Sequence, residues 1–334
     1  MKSKKKFPKR SPYLIFRKIS RDEYEVSQAF DSKTYYTDRK AAAFLKRLDG
    51  KTNPYHLPYG YSKTDVKQLL RELHDKNMLI PDKKITPDGI GSFMYPLVYC
   101  YPKRIHRQIA SVVNFLLLLS FIPVFILGWY VHGHIPTYIY MLNKWEIIVA
   151  CLVGLAVGIT CHELAHACAG LAYGGQLFEF GIGLNHFAPA AYSLIDMSGI
   201  KSRIKQVQVY AAGIECNLLL YGICMCLVPS DVINPLIIYV TGLVNLGLAI
   251  GNSLPFAGVD GLEVLSLIVG KEDLLKQAKE RIRSSKRQRK PPKFPKNIKD
   301  AVALTASYVL VAFQFVLPVL LVYEGFNWVR LIWH

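Results

Sequence analysis

At 334 residues the chain is too long for one small module and has room for two units. Its make-up, 51% hydrophobic against 19% charged, reads as a membrane protein with polar extensions rather than a chain that stays wholly in water. A formal net charge of +17 leaves two explanations, nucleic-acid binding or the cytoplasmic excess of Lys and Arg found in membrane proteins, and the distribution of the charge decides between them.

The first hundred residues read as a small cytoplasmic α+β, winged-helix-like domain. "YLIFRKI" and "YEVSQAF" have the pattern of short strands. Thr37 stands where a helix cap would, ahead of Ala41, Phe44, Leu45 and Leu48 at i, i+3, i+4 and i+7, and "DG" at 49–50 ends that helix. Ser62 stands at the cap of a second helix, with Val66, Leu69, Leu70 and Leu73 on one face. "MLIPDKKITPDG" follows as a strand and turn. Nothing in this polar stretch looks like a signal peptide. Its Lys and Arg are scattered, and no helix clusters Arg, Asn and Gln, so a nucleic-acid partner is not favoured.

Five runs are long enough to cross a hydrocarbon core of roughly 30 Å: 109–131, 147–173, 207–228, 235–255 and 301–323. Of the 41 Lys and Arg, 24 precede the first run, 3 lie in 201–205 and 12 in 271–299. Placing the N-terminus in the cytoplasm and the C-terminus outside puts 39 of the 41 on the cytoplasmic side. The expected fold is therefore a polytopic α-helical protein of the cell membrane with about five to six spans. Trp129, Tyr130, Trp145, Trp328 and Trp333 then fall near the outer interface, as aromatic belts do. Six of the seven cysteines lie in these runs and none forms a CxxC pair, so they read as small buried residues, not as disulfides or ligands. His132 and His134, in the outer loop, belong to no pattern that suggests a site.

The second run contains "GITCHELAHACAG" at 158–170. On a helix His162 and His166 share a face and can both reach one metal ion, while Glu163 stands beside them to take a proton from an activated water. Zinc suits these ligands and would bring the pKa of that water toward about 7. A chance match on a surface helix is excluded by context, because residues 147–160 just before it carry no charge at all. Ionisable groups inside a span are costly and point to function. At 1.5 Å per residue His162 lies roughly 22 Å along its helix from residue 147, which puts it within about 10 Å of the cytoplasmic boundary.

The segment from 174 to 205 is apolar but broken by Gly and Pro, too irregular for a helix. It is expected to form a re-entrant β-hairpin or loop beside the site, because irregular backbone at membrane depth must be covered by protein or line a cavity. His186, Tyr192 and Asp196 lie in it, with contact to substrate or to the metal's surroundings as one reading and no site role as the other. In the third run Glu215 is an unusual buried carboxylate, open to binding a basic substrate, gating access or simple hydrogen bonding. A catalytic zinc takes three protein ligands. The third candidate is Asp260 in "GNSLPFAGVDG", where Pro255, Gly258 and Gly261 let the chain unwind after the fourth run and aim a carboxylate inward. The chain then enters a basic, Pro-containing linker at 271–299, expected to lie against anionic lipids. A last transmembrane helix and a short outer tail occupy 300–334.

HExxH in one span, with Asn252, Pro255, Asp260 and Gly261 in an N-x-x-P…D-G pattern later and Gly213 and Asn217 as a G-x-x-x-N between them, resembles the site-2 protease family of intramembrane zinc metalloproteases. The likeness covers roughly 145–270. It implies a protease core at 101–270, zinc held by His162, His166 and Asp260, and Glu163 as catalytic acid and base. It also implies that Asn252 and Asn217 bind substrate backbone or a developing oxyanion; the alternative is that both only bond between helices. Ile214 and Glu215 depart from the family's "AGP" segment, and no PDZ domain is present. "SKTYYTDRKAAAFLKRLDGKTN…VKQLLRELHDKNMLI" resembles in turn the PqqD-like peptide-binding fold, which grips the leader of a precursor peptide by strand addition. Together the resemblances imply maturation of a ribosomally made or membrane-associated precursor peptide. Regulated cleavage of a membrane-anchored transcription regulator or signal-peptide remnant is the first alternative. A non-catalytic membrane receptor or immunity protein is the second.

Overall fold

The computed structural model describes residues 7–28, 34–76, 78–80, 93–135, 144–185, 188–230, 234–254 and 259–270. The linker at 271–299, the fifth apolar run, Pro255, Gly258 and His186 lie outside the described residues. The chain divides into two compact units, Met1–Pro102 with Leu177–Asp196, and Lys103–Gln176 with Met197–His334.

The first unit opens with an antiparallel sheet of β1 (Leu14–Lys18), β2 (Glu23–Gln28) and β3 (Thr34–Asp38), in that order. Phe16 pairs with Val26 and Val26 with Tyr35, which sets one apolar face toward the helices. β3 is an addition to the sequence reading, which took this stretch as the approach to a helix. Its Thr-Tyr-Tyr-Thr run suits a pleated strand. Because the strand runs on, the cap of α1 (Arg39–Lys46) falls one residue past Thr37: Asp38 accepts from the Ala41 N–H at 2.6 Å. Ser62 does cap α2 (Lys63–Asp75), in a reciprocal box with Asp65. Phe44, Leu45, Val66 and Leu73 from the two helices, with Leu48 just past the end of α1, close over Leu14 and Val26.

A second sheet in this unit has the order β4 (Phe93–Tyr99), β5 (Gln176–Asn185), β6 (Ala188–Asp196). The segment expected as a re-entrant hairpin or loop beside the site forms β5 and β6 of this sheet, in the first unit rather than the helical one, and β4 comes from the stretch read as part of the soluble domain. β4 and β5 are antiparallel, with a break in register between Pro96 and Val98. Proline brings no N–H to the ladder, so the irregularity falls where a bond is already missing. Glu179 is only 4% exposed. Its carboxylate accepts from the hydroxyls of Tyr13 at 2.5 Å and Tyr192 at 2.8 Å. Burial, and then the neighbouring Glu179, push both phenols above their ordinary pKa, so they stay protonated as donors.

The second unit is helical: α3 (Arg104–His132), α4 (Lys144–Ala172), α5 (Arg203–Leu227), α6 (Pro235–Ser253) and the short α7 (Asp260–Val269). The first four are long and apolar enough to cross a membrane. They account for four of the five runs expected. Without a hydrophobic force between helices in lipid, close packing of small residues carries more of the association. At the α3–α5 crossing a Cβ on Gly128 would stand 2.5 Å from the Gly222 Cα, so the two backbones touch where no side chain intervenes.

Candidate metal centre

α4 carries His162 and His166 one turn apart, and both are 6% exposed. α7 brings Asp260 to them from the other side. Its Oδ2 lies 2.9 Å from His162 Nε2 and 3.2 Å from His166 Nε2, and the two Nε2 atoms are 3.0 Å apart. Three candidate ligand atoms from two helices thus meet at one point, the one such group of His, Cys, Asp and Glu among the described residues.

The approach of α7 depends on Gly261. A Cβ there would run into the carbonyl oxygens of Ser253 and Leu254 at the end of α6, so only glycine lets Asp260 start a new helix this close behind the old one. α5 supplies the remaining wall. The His166 Nδ1–H donates to the Val209 carbonyl at 2.6 Å. A carbonyl only accepts, so this bond fixes the tautomer and leaves the Nε2 lone pair facing Asp260. One turn on, Gly213 faces both imidazoles: a Cβ there would lie 2.5 Å from His166 Nε2 and 2.6 Å from His162 Nε2. Asn217, one turn further, is fully buried, and its amide meets the His162 Nδ1 edge at 3.1 Å.

The residues expected from the sequence are therefore partly gathered. His162, His166 and Asp260 meet, with Gly213 and Asn217 against them. Glu163, half-buried, follows His162 on the same helix. Asn217 bonds on the Nδ1 side of His162, away from the cluster of Nε2 and Oδ2 atoms. Asn252 donates to the Leu248 carbonyl of its own helix at 3.1 Å. Glu215, 9% exposed, accepts from Gln208 two turns earlier on α5 at 2.6 Å. Tyr192 is taken up by Glu179 in the other unit. Val209 acts through its backbone, which no side-chain motif announces. Asn245 also escaped the sequence reading. A polar amide inside an apolar span was the signal available. No protein-family model matches the chain, and no curated protein matches it in sequence.

Proposed function

We propose that the chain is a membrane zinc metalloendopeptidase of the site-2 protease type, which cleaves a precursor peptide at the cytoplasmic side of the bilayer. The observation that carries the reading is the meeting of His162 Nε2, His166 Nε2 and Asp260 Oδ2 within 3.2 Å of one another. Ligand atoms about 2.0–2.2 Å from a tetrahedral zinc stand about 3.3–3.6 Å apart, so an ion fits after shifts of a few tenths of an ångström. The donor set of two imidazoles and one carboxylate is that of hydrolytic zinc sites with a fourth position open.

Zinc held by these residues supplies Lewis acidity, which makes water a nucleophile at neutral pH. Glu163 takes the proton that water loses as it adds to the scissile carbonyl. It then returns that proton to the leaving amide nitrogen as the C–N bond breaks, leaving a carboxylic acid and an amine, between which the remaining acidic proton passes to give carboxylate and ammonium. His166 is held for its task by Val209. The N-terminal unit fits the role of peptide recognition: β1 and β3 are edge strands of its sheet, and an extended peptide can add to such an edge. Phe44 and Leu48 are not available as side-chain pockets for that peptide, because both are 1% exposed within the core. The excess of Lys and Arg supports an N-terminus in the cytoplasm, and the basic linker supports contact with anionic lipids.

Purified protein is expected to hold about one zinc per chain. Glu163→Gln should keep the metal and lose turnover of a candidate precursor by a factor of roughly 100 or more, since an amide accepts no proton. Wild-type turnover in that variant would remove Glu163 from the mechanism. A wild-type chain without bound metal would remove the hydrolytic reading altogether.

A further inference from the structure

Asn217 and Asn245 are both fully buried, and each has an amide oxygen without a partner. Two such orphans inside a membrane bundle are costly and call for a physical account. Both side chains stand against α4, one helical turn apart along it. Asn217 comes from α5 and meets His162. Asn245 comes from α6, and its Oδ1 stands 2.7 Å from where a Cβ on Gly158 would be, one helical turn before His162 on α4. Gly158 thus leaves the space that the Asn245 amide oxygen faces. The Asn245 amide nitrogen is already spent on the Thr241 carbonyl at 2.8 Å, so its orientation is fixed and its oxygen must look for a donor.

The amide of Asn217 is placed with nitrogen toward His162 Nδ1. The O and N of an amide are assigned from the bonding network, not from shape. If His162 is to offer Nε2 to a metal, its ring proton must sit on Nδ1, and a donor there needs an acceptor opposite. Turning the Asn217 amide over supplies that acceptor. The same turn puts its NH2 where the orphan oxygen stood, free to donate. One rotation thus supplies an acceptor for His162 and removes the orphan oxygen of Asn217.

Resting on the metal reading above, we infer that His162, Asn217 and Asn245 form a relay in which His162 Nδ1–H donates to Asn217 Oδ1, and Asn217 Nδ2–H donates toward Asn245 Oδ1. Asn245 is then a positioning residue. It never touches the metal, but by holding the Asn217 amide in one orientation it fixes the tautomer and the angle of His162. His166 has its own fixture in the Val209 carbonyl, so each imidazole is set by a separate helix-borne acceptor.

The test is a double-mutant cycle on the full-length detergent-solubilised chain, with zinc affinity measured by chelator competition and the cobalt-substituted protein by its d–d spectrum. Asn217→Ala is expected to weaken zinc binding about 10- to 100-fold, the usual range for a partner behind a ligand. Asn245→Ala should weaken it by roughly tenfold and shift the cobalt bands in the same direction. In the Asn217→Ala background, Asn245→Ala should cost nothing further, because its only route to the metal is gone. Asn245→Leu keeps the volume but offers no acceptor, so it should weaken zinc and shift the cobalt bands as Asn245→Ala does, which a mere packing role would not require. Independent losses in the cycle, or wild-type affinity and spectrum in Asn245→Ala, overturn the relay. A wild-type chain that takes up neither zinc nor cobalt overturns the metal reading and the relay with it, so the two failures are told apart.

Discussion

Gly213 sets a tight steric condition on the centre. Its missing Cβ is the space into which both Nε2 atoms project, so Gly213→Ala must push the imidazoles or α5 itself aside. Metal analysis of that variant should find zinc occupancy reduced by at least tenfold while the chain remains folded; full occupancy would mean that α5 yields without cost. His162, Glu163 and His166 were legible in the sequence because a four-residue spacing on a helix already fixes their common face. Asp260 was legible because glycines and a proline beside it signalled a break in a span. The behaviour of the two asparagines was not. Whether Asn252 turns to its own helix or outward is decided by rotamer and neighbours, and nothing in its spacing records that.

At the scale of elements, α2 shows how a local signal survives folding. Ser62→Ala removes the hydroxyl that accepts from the Asp65 N–H and should cost about 1 kcal/mol, seen as a lowered midpoint in thermal unfolding. The same box holds the Asp65 carboxyl below its ordinary pKa, through its bonds from Ser62. That contribution is complete above the unfolded value near 3.8 and is lost as pH falls through the lower folded value, so Ser62→Ala should also flatten the acid limb of the stability profile. Caps, amphipathic faces and apolar runs were readable because each depends on residues within a few positions. β3 and β4 were not anticipated. β3 was hidden by a plausible cap one residue away, and β4 becomes a strand only through β5, far along the chain.

For the whole molecule, the pairing of β4 with β5 carries information on sidedness. Two candidate spans, α3 and α4, lie between them. Strands that share hydrogen bonds must share a side of the membrane, so the crossings between them are even in number, as two full spans require. If α3, α4, α5 and α6 each cross the bilayer, as their length and apolarity allow, the same parity would return Asp260 to the side of the N-terminus. Membrane-impermeant maleimide applied to intact cells should therefore label Tyr130→Cys, which is 66% exposed near the end of α3. Tyr36→Cys, 67% exposed in the first unit, should react only after permeabilisation. The reverse pattern would invert the orientation read from the Lys and Arg distribution.

The discontinuity of the first unit also has a consequence in time. About 75 residues separate the end of β4 from the start of β5. At a synthesis rate of roughly 5–20 residues per second, β4 waits some 4 to 15 s for its partner, while two apolar helices leave the ribosome and enter the bilayer. During that interval Tyr13 has no Glu179 to bond, and one sheet of the unit does not yet exist. The β1–β3 sheet and its two helices can close early, but the unit as a whole is completed only after membrane insertion is under way. Biogenesis of the two units is thus interleaved, and a slowed insertion step would leave an unpaired strand exposed to chaperones and proteases.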